Sequence, residues 1–198
     1  MDFHGSPLPL ASVSPALPVV SPPAIVQSLP VGPSILPQGK FCLDLCVGSP
    51  CPLAQSLREA KVAFLSIDVL LSDQHDLLEN SAFECILRIA ASGQVAYTAA
   101  APNCSEFLPS PLHQPGQSSV RTLDHPFGIP NPTPQEQHRI DSSREFLHRC
   151  LHCLQATVAA GGHGHLEQPK EALSWQDPRT NQWLMLHGRF LVAVPACS

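Results

Sequence analysis

Val95-Ala96-Tyr97-Thr98-Ala99-Ala100-Ala101-Pro102-Asn103-Cys104-Ser105 is the stretch on which the fold turns. Gln94 to Ala100 is short, apolar and preceded by Gly93, as expected of a buried strand. The strand then runs into Pro-x-Cys, which carries the Cys104 thiol to the carboxyl edge of a sheet. In open α/β sheets that edge is where ligands bind.

Working outward, strand and helix patterns alternate. Phe41 to Cys46 is an apolar run with one acid inside it, the signature of a buried parallel strand. Pro52 to Ala60 reads as a helix with proline in its first turn, where a missing N–H costs little, and with Leu53, Ala54, Leu57 and Ala60 as its apolar face. Val62 to Ile67 is a second strand ending in Asp68. Ser81 to Ser92 has helical spacing in Phe83, Ile86, Leu87 and Ala90, and Gly93 stops it. Pro134 to Ala160 is the longest helix, with Ile140, Phe146, Leu147, Leu151, Leu154 and Val158 facing inward. Gly161-Gly162 ends it, and His163 to Leu166 is a short strand. A helix over 171–186, interrupted near Pro178, precedes a last strand at Arg189 to Val194. This alternation predicts an α/β fold, Rossmann-like, with a mostly parallel sheet and helices on both faces.

Two segments break the pattern. Residues 1–38 carry nine prolines, each of which removes a backbone donor and restricts its predecessor. They read as a disordered or polyproline-like extension, leaving 39–198 as the α/β domain. Residues 105–134 are rich in proline, glycine and serine, and a loop of that length inside a domain is usually functional or disordered.

The chain has 198 residues, enough for one sizeable core, and a formal net charge of -5. That charge supplies no broad cationic footprint for nucleic acid. The eight cysteines do not resemble a secreted disulfide framework, because no signal peptide precedes them. The expectation is a reducing, intracellular setting with free thiols. No run is long and apolar enough to span a bilayer.

The candidate site gathers at strand ends. Gly48 stands in the turn after the first strand, where backbone can approach a ligand closely. Asp68 ends the second strand about twenty residues on, where a carboxylate can accept both hydroxyls of a ribose. Asp76 follows, where a third strand edge would bring it near an adenine. Glu167 ends the strand after Cys104, so adjacent parallel strands put the thiol and the acid on one edge. The plainer alternative is strand-edge acids in ordinary turns and a half-buried, inert cysteine.

These residues resemble the motifs of the DNA cytosine-5 methyltransferases, of the class I S-adenosylmethionine-dependent fold, over Phe41 to Pro169. Asp44-Leu45-Cys46-Val47-Gly48-Ser49-Pro50-Cys51 is similar to the family's Asp-Leu-Phe-x-Gly-x-Gly-Gly, with Cys46 in the aromatic position and Pro50 and Cys51 in two glycine positions. Pro102-Asn103-Cys104-Ser105 is similar to its Pro-Pro-Cys-Gln, and Glu167-Gln168-Pro169 to its Glu-Asn-Val or Glu-Asn-Pro. The resemblance implies that S-adenosyl-L-methionine binds along Asp44, Cys46, Gly48, Asp68, Asp76 and Pro102. It implies that Cys104 attacks carbon 6 of a flipped cytosine in DNA while Glu167 holds the exocyclic amine and ring nitrogen 3. The 105–134 segment resembles the mobile loop that closes over the base. It also implies a domain that stops before the family's target-recognition region, and a nuclear location where DNA is the substrate. A catalytically inactive interaction module, and a methyltransferase acting on RNA or a small molecule, are the alternatives.

His148-Arg149-Cys150-Leu151-His152-Cys153 invites a zinc reading, but no second Cys-x-x-Cys completes four ligands. An ordinary helix with buried thiols is expected, and Trp175 and Trp183 are expected to pack rather than to stack on bases.

Overall fold

The computed structural model describes residues 39–46, 48, 52–109 and 119–187. The proline-rich extension and the expected strand at 189–194 lie outside these residues. Four strands are described: β1 (Phe41–Leu45), β2 (Phe64–Ile67), β3 (Val95–Ala100) and β4 (His163–Leu166). They form one sheet in the order β2-β1-β3-β4, and every pairing is parallel. Helices α1 (Pro52–Glu59), α2 (Asn80–Ala90), α3 (Pro134–Ala159) and α4 (Pro178–His187) flank it. This is the Rossmann-like α/β architecture that the alternation of patterns leads one to expect.

The register sorts the side chains of the sheet. Leu43 pairs with Leu65 and Thr98, and Leu45 with Ile67 and Ala100. Thr98 and Ala100 pair in turn with Gly164 and Leu166. Paired residues share a face, because side chains alternate along each strand. This face lies under α3: Thr98 Oγ1 sits 2.7 Å from Thr157 Oγ1 with both residues fully buried. Gly162 makes the approach possible. A Cβ there would stand 2.5 Å from the Val95 carbonyl oxygen and 2.7 Å from Thr157 Cγ2. The opposite face carries Cys42, Asp44, Tyr97, Ala99, His163 and His165. Asp44 and Ala99 are buried on it, whereas the two histidines near the β4 edge are exposed.

α3 holds the core together. Ile140, Leu147, Cys150, Leu151, Cys153, Leu154 and Thr157 are buried along it, and Phe146 and Val158 are partly so. Its start is fixed by a full capping box between Thr133 and Glu136, with Pro134 in the first turn. α2 buries Ala82, Ile86 and Ala90, with Phe83 and Leu87 packed at the margin.

Three expectations need correction. α1 is a shallow helix: Ala54 is buried, but Leu53 and Ala60 are exposed, because this short helix lies beside the edge strand β2, which is itself short and offers little surface to cover. No strand follows β2 before α2; Asp76 instead ends a 3₁₀ turn over Asp73–His75, capped by Ser72. The helix expected over 171–186 is two elements, a 3₁₀ turn at Leu173–Gln176 and then α4. Trp175 donates its indole N–H to the Pro169 carbonyl at 2.7 Å, and Trp183 is buried in the core, as packing residues do.

Candidate functional site

The strand order reverses direction between β1 and β3: the chain leaves β1 toward β2 on one side and reaches β4 on the other. The carboxyl edge of these two strands is the switch point, where sheets of this kind open a crevice for ligands. The hydrogen-bond ladders run up to this edge. Cys46 N donates to Ile67 O at 2.8 Å, Ala101 N to Leu45 O at 3.1 Å, and Glu167 N to Ala100 O at 2.8 Å.

On the β1–β2 side, Asp68 organises the turn. Its Oδ2 accepts the Gly48 amide at 2.9 Å and its Oδ1 the Leu70 amide at 2.8 Å. Gly48 has φ +62°, a conformation that suits glycine, and Cys46 two residues earlier shares it at φ 62°. His75 Nδ1 lies 3.2 Å from the Asp68 carbonyl, and Asp76 Oδ1 accepts the Leu78 amide at 2.8 Å. A cavity of about 50 Å³ opens here, lined by Cys46, Ile67, Asp68, Val69, His75, Asp76, Leu77 and Phe146. Arg149 ties this region to α3. It donates to the carbonyls of Leu77 and Leu78 at 2.9 and 3.0 Å, and its guanidinium lies 4.8 Å from the Phe83 ring centre.

On the β3–β4 side, Cys104 is half-buried and begins a 3₁₀ turn, Ser105–Phe107. Asn103 Oδ1 accepts the Ser105 amide at 3.0 Å, so the residue before the thiol shapes the turn. Both flanks of the thiol are pinned. Before it, the carbonyl of buried Pro102 accepts Gln168 Nε2 at 2.5 Å, and Gln168 Oε1 in turn accepts the Ser174 hydroxyl at 3.0 Å. After it, Arg121 donates to the Glu106 carbonyl at 2.8 Å and to the Ile140 carbonyl at 2.9 Å. The Arg121 guanidinium lies 4.3 Å from the Phe107 ring centre. Arg139 grips the Glu106 carboxylate with two hydrogen bonds, at 2.8 and 3.2 Å.

Burial pushes the Cys104 thiol up, and its backbone hydrogen bond offsets this only in part. Burial lowers Arg121 to about 10, yet it keeps its proton at neutral pH. Glu167 is exposed just past the carboxyl end of β4.

The structure therefore places Cys46, Gly48, Asp68 and Asp76 around one end of the crevice. Pro102, Cys104 and Glu167 sit at the ends of the two neighbouring strands. Asp44 is different: it is buried on the sheet face away from α3 and does not line the cavity. Phe146, His75 and Leu77 line that cavity without having been singled out. Phe146 is legible only as a helix-face residue, because it lies about a hundred residues from Cys46. Arg121, Arg139 and Glu106 give no sequence signal beyond sitting in or beside a long irregular segment.

Among the described residues, no group of three or more His, Cys, Asp or Glu is placed to hold a metal ion. Cys150 and Cys153 face the core, and His148 Nε2 is bound to the Asp177 carboxylate at 3.1 Å. No described helix is long and apolar enough to cross a membrane. The protein is thus an α/β protein of Rossmann-like architecture with a small cavity at the carboxyl ends of β1 and β2. No protein-family model, curated protein or solved structure matches the chain.

Proposed function

We propose that the chain is an S-adenosylmethionine-dependent methyltransferase-like domain of the DNA cytosine-5 type, with Cys104 as nucleophile and Glu167 as the acid that engages the base. The observation that carries this reading is the coupling of two strand ends: Glu167 N bonds to Ala100 O, and Gln168 bonds to Pro102 O, two residues before the thiol. Two segments distant in sequence, one leading to the thiol and the other bearing the carboxylate, are thereby tied together at neighbouring strand ends.

The lining of the β1–β2 cavity has the chemistry of a nucleoside site: apolar Ile67, Val69 and Leu77 with the Phe146 ring for a base, and the Asp68 and Asp76 carboxylates for hydroxyl and amine donors. The pocket admits part of such a group rather than all of it. When bound, S-adenosyl-L-methionine supplies the electrophilic methyl group that carbon 5 of the cytosine accepts. Cys104 gives its proton to solvent water and adds its sulfur to carbon 6, and the displaced electron pair becomes available at carbon 5. Glu167 holds the exocyclic amine and ring nitrogen 3, where charge changes as the thiolate adds. Solvent water then takes the carbon-5 proton, and the electron pair left behind reforms the double bond and expels Cys104 as thiolate.

One feature favours the alternative of an inactive interaction module: burial pushes up the thiol that must ionise. Two measurements separate the readings. Calorimetry with S-adenosyl-L-methionine is expected to show binding, and DNA containing 5-fluorocytosine is expected to trap a covalent adduct on Cys104. Cys104→Ser abolishes the adduct while leaving cofactor binding intact, and Glu167→Gln slows trapping by about 10²-fold. Absence of heat at millimolar cofactor selects the inactive module. Cofactor binding without an adduct selects a methyltransferase for RNA or a small molecule.

A further inference from the structure

Cys46 and Cys150 are 104 positions apart in sequence, yet their sulfur atoms lie 3.7 Å apart. Cys46 follows β1 and is partly exposed, lining the cavity beside Asp68. Cys150 is fully buried in α3, one turn after Phe146 of the same cavity. Cys46 also has a left-handed backbone, which non-glycine residues rarely adopt and which accompanies the turn of its side chain toward the helix. The pair is thus an accessible thiol with a sheltered one behind it, the arrangement of an attacking and a resolving cysteine.

We propose that Cys46 and Cys150 form an oxidisable dithiol that a small-molecule disulfide converts to an intramolecular disulfide. The Cys46 thiolate attacks oxidised glutathione, forming a mixed disulfide and releasing one glutathione thiolate. Cys150 gives its proton to water, and its thiolate attacks the Cys46 sulfur and expels the second glutathione. Two thiols lose two electrons, and one glutathione disulfide gains them. The sulfurs close from contact to bonding distance, a movement of about 1.6 Å. The bond ties the end of β1, and with it one wall of the cavity, to α3.

The neighbours set the rate. Contact with Cys46 and burial both push the Cys150 thiol well above its ordinary range, and burial pushes Cys153 up to about 12. Once Cys46 is a mixed disulfide its contact no longer raises Cys150, but burial still does, so the resolving step is slow at neutral pH and quickens as pH rises. Cys46 also lines the cavity proposed for the cofactor, but the thiol chemistry needs neither Cys104 nor a bound cofactor, so its test stands apart from that of methyl transfer.

The test uses the full chain, treated with oxidised glutathione, blocked with N-ethylmaleimide and digested without reduction. Mass spectrometry is expected to find peptides joined through Cys46 and Cys150 that separate on reduction. In Cys150→Ser, Cys46 is expected to retain the glutathione adduct. A wild-type digest in which Cys46 stays alkylated or glutathionylated, or pairs with any other cysteine, overturns the proposal. The wild-type map decides by itself, so the test remains conclusive even where the variant fails to fold.

Discussion

At the scale of the residue, Cys104 shows how position and reactivity separate. Its place beyond β3 follows from the sequence, since Pro102 and Asn103 end the strand and shape the turn. Its ionisation depends on how far tertiary packing buries the turn that carries it, which local sequence does not disclose. Burial disfavours the thiolate, so the sulfur is a poor nucleophile at neutral pH until a base or a ligand changes its surroundings. Alkylation of Cys104 by iodoacetamide, followed by peptide mapping, is expected to rise by about tenfold per unit from pH 7 to pH 9 with no plateau in that range. A plateau below pH 8 would show a thiol already activated.

At the scale of the element, the helix boundaries illustrate what a few residues can specify. Pro134 opens α3, Gly93 follows α2, and Gly161-Gly162 ends α3, each by a backbone property of the residue itself. Asp177-Pro178 reads at first as an interruption but is the start of α4. Asp177 Oδ1 accepts the Arg179 amide at 2.9 Å and the Thr180 amide at 3.3 Å, and its carboxylate binds His148 of α3. Asp before Pro is itself a helix-start signal; the interaction with His148 is not legible locally. Burial raises the Asp177 carboxyl, but His148 and the two amides outweigh it, and the net shift is downward. A carboxyl with a depressed folded pKa contributes stability above its unfolded value, near pH 4, and loses it as pH falls through the folded value. Asp177→Asn is expected to lower stability at pH 7 by about 1–3 kcal/mol. It is also expected to flatten the loss of stability below pH 4 in urea titrations; an unchanged acid limb would assign that limb to other carboxyls.

At the scale of the whole molecule, the four described strands and helices α2, α3 and α4 share a single core. Leu147 and Leu154 of α3 are fully buried in the cluster that also holds Leu43, Leu45, Ala100 and Leu166 of the sheet. Leu147→Ala is expected to cost about 2–5 kcal/mol, with far-ultraviolet dichroism and tryptophan fluorescence reporting one coincident urea transition. Two separated transitions would mean that α4, which carries Trp183, unfolds apart from the sheet. The sequence by itself determined the order of strands and helices, the parallel sheet, and the strand ends that bear Gly48, Asp68, Cys104 and Glu167. These follow from short-range periodicity and from glycine and proline, whose effects act within a few residues. Only the tertiary structure decided that Phe146 meets Cys46 and Asp68, that Arg121 clamps the turn after Cys104, that Asp44 turns away from the crevice, and that two sulfurs touch. Those contacts depend on strand register and on how α3 lies across the sheet, and both are settled by burying one shared core rather than by any local pattern.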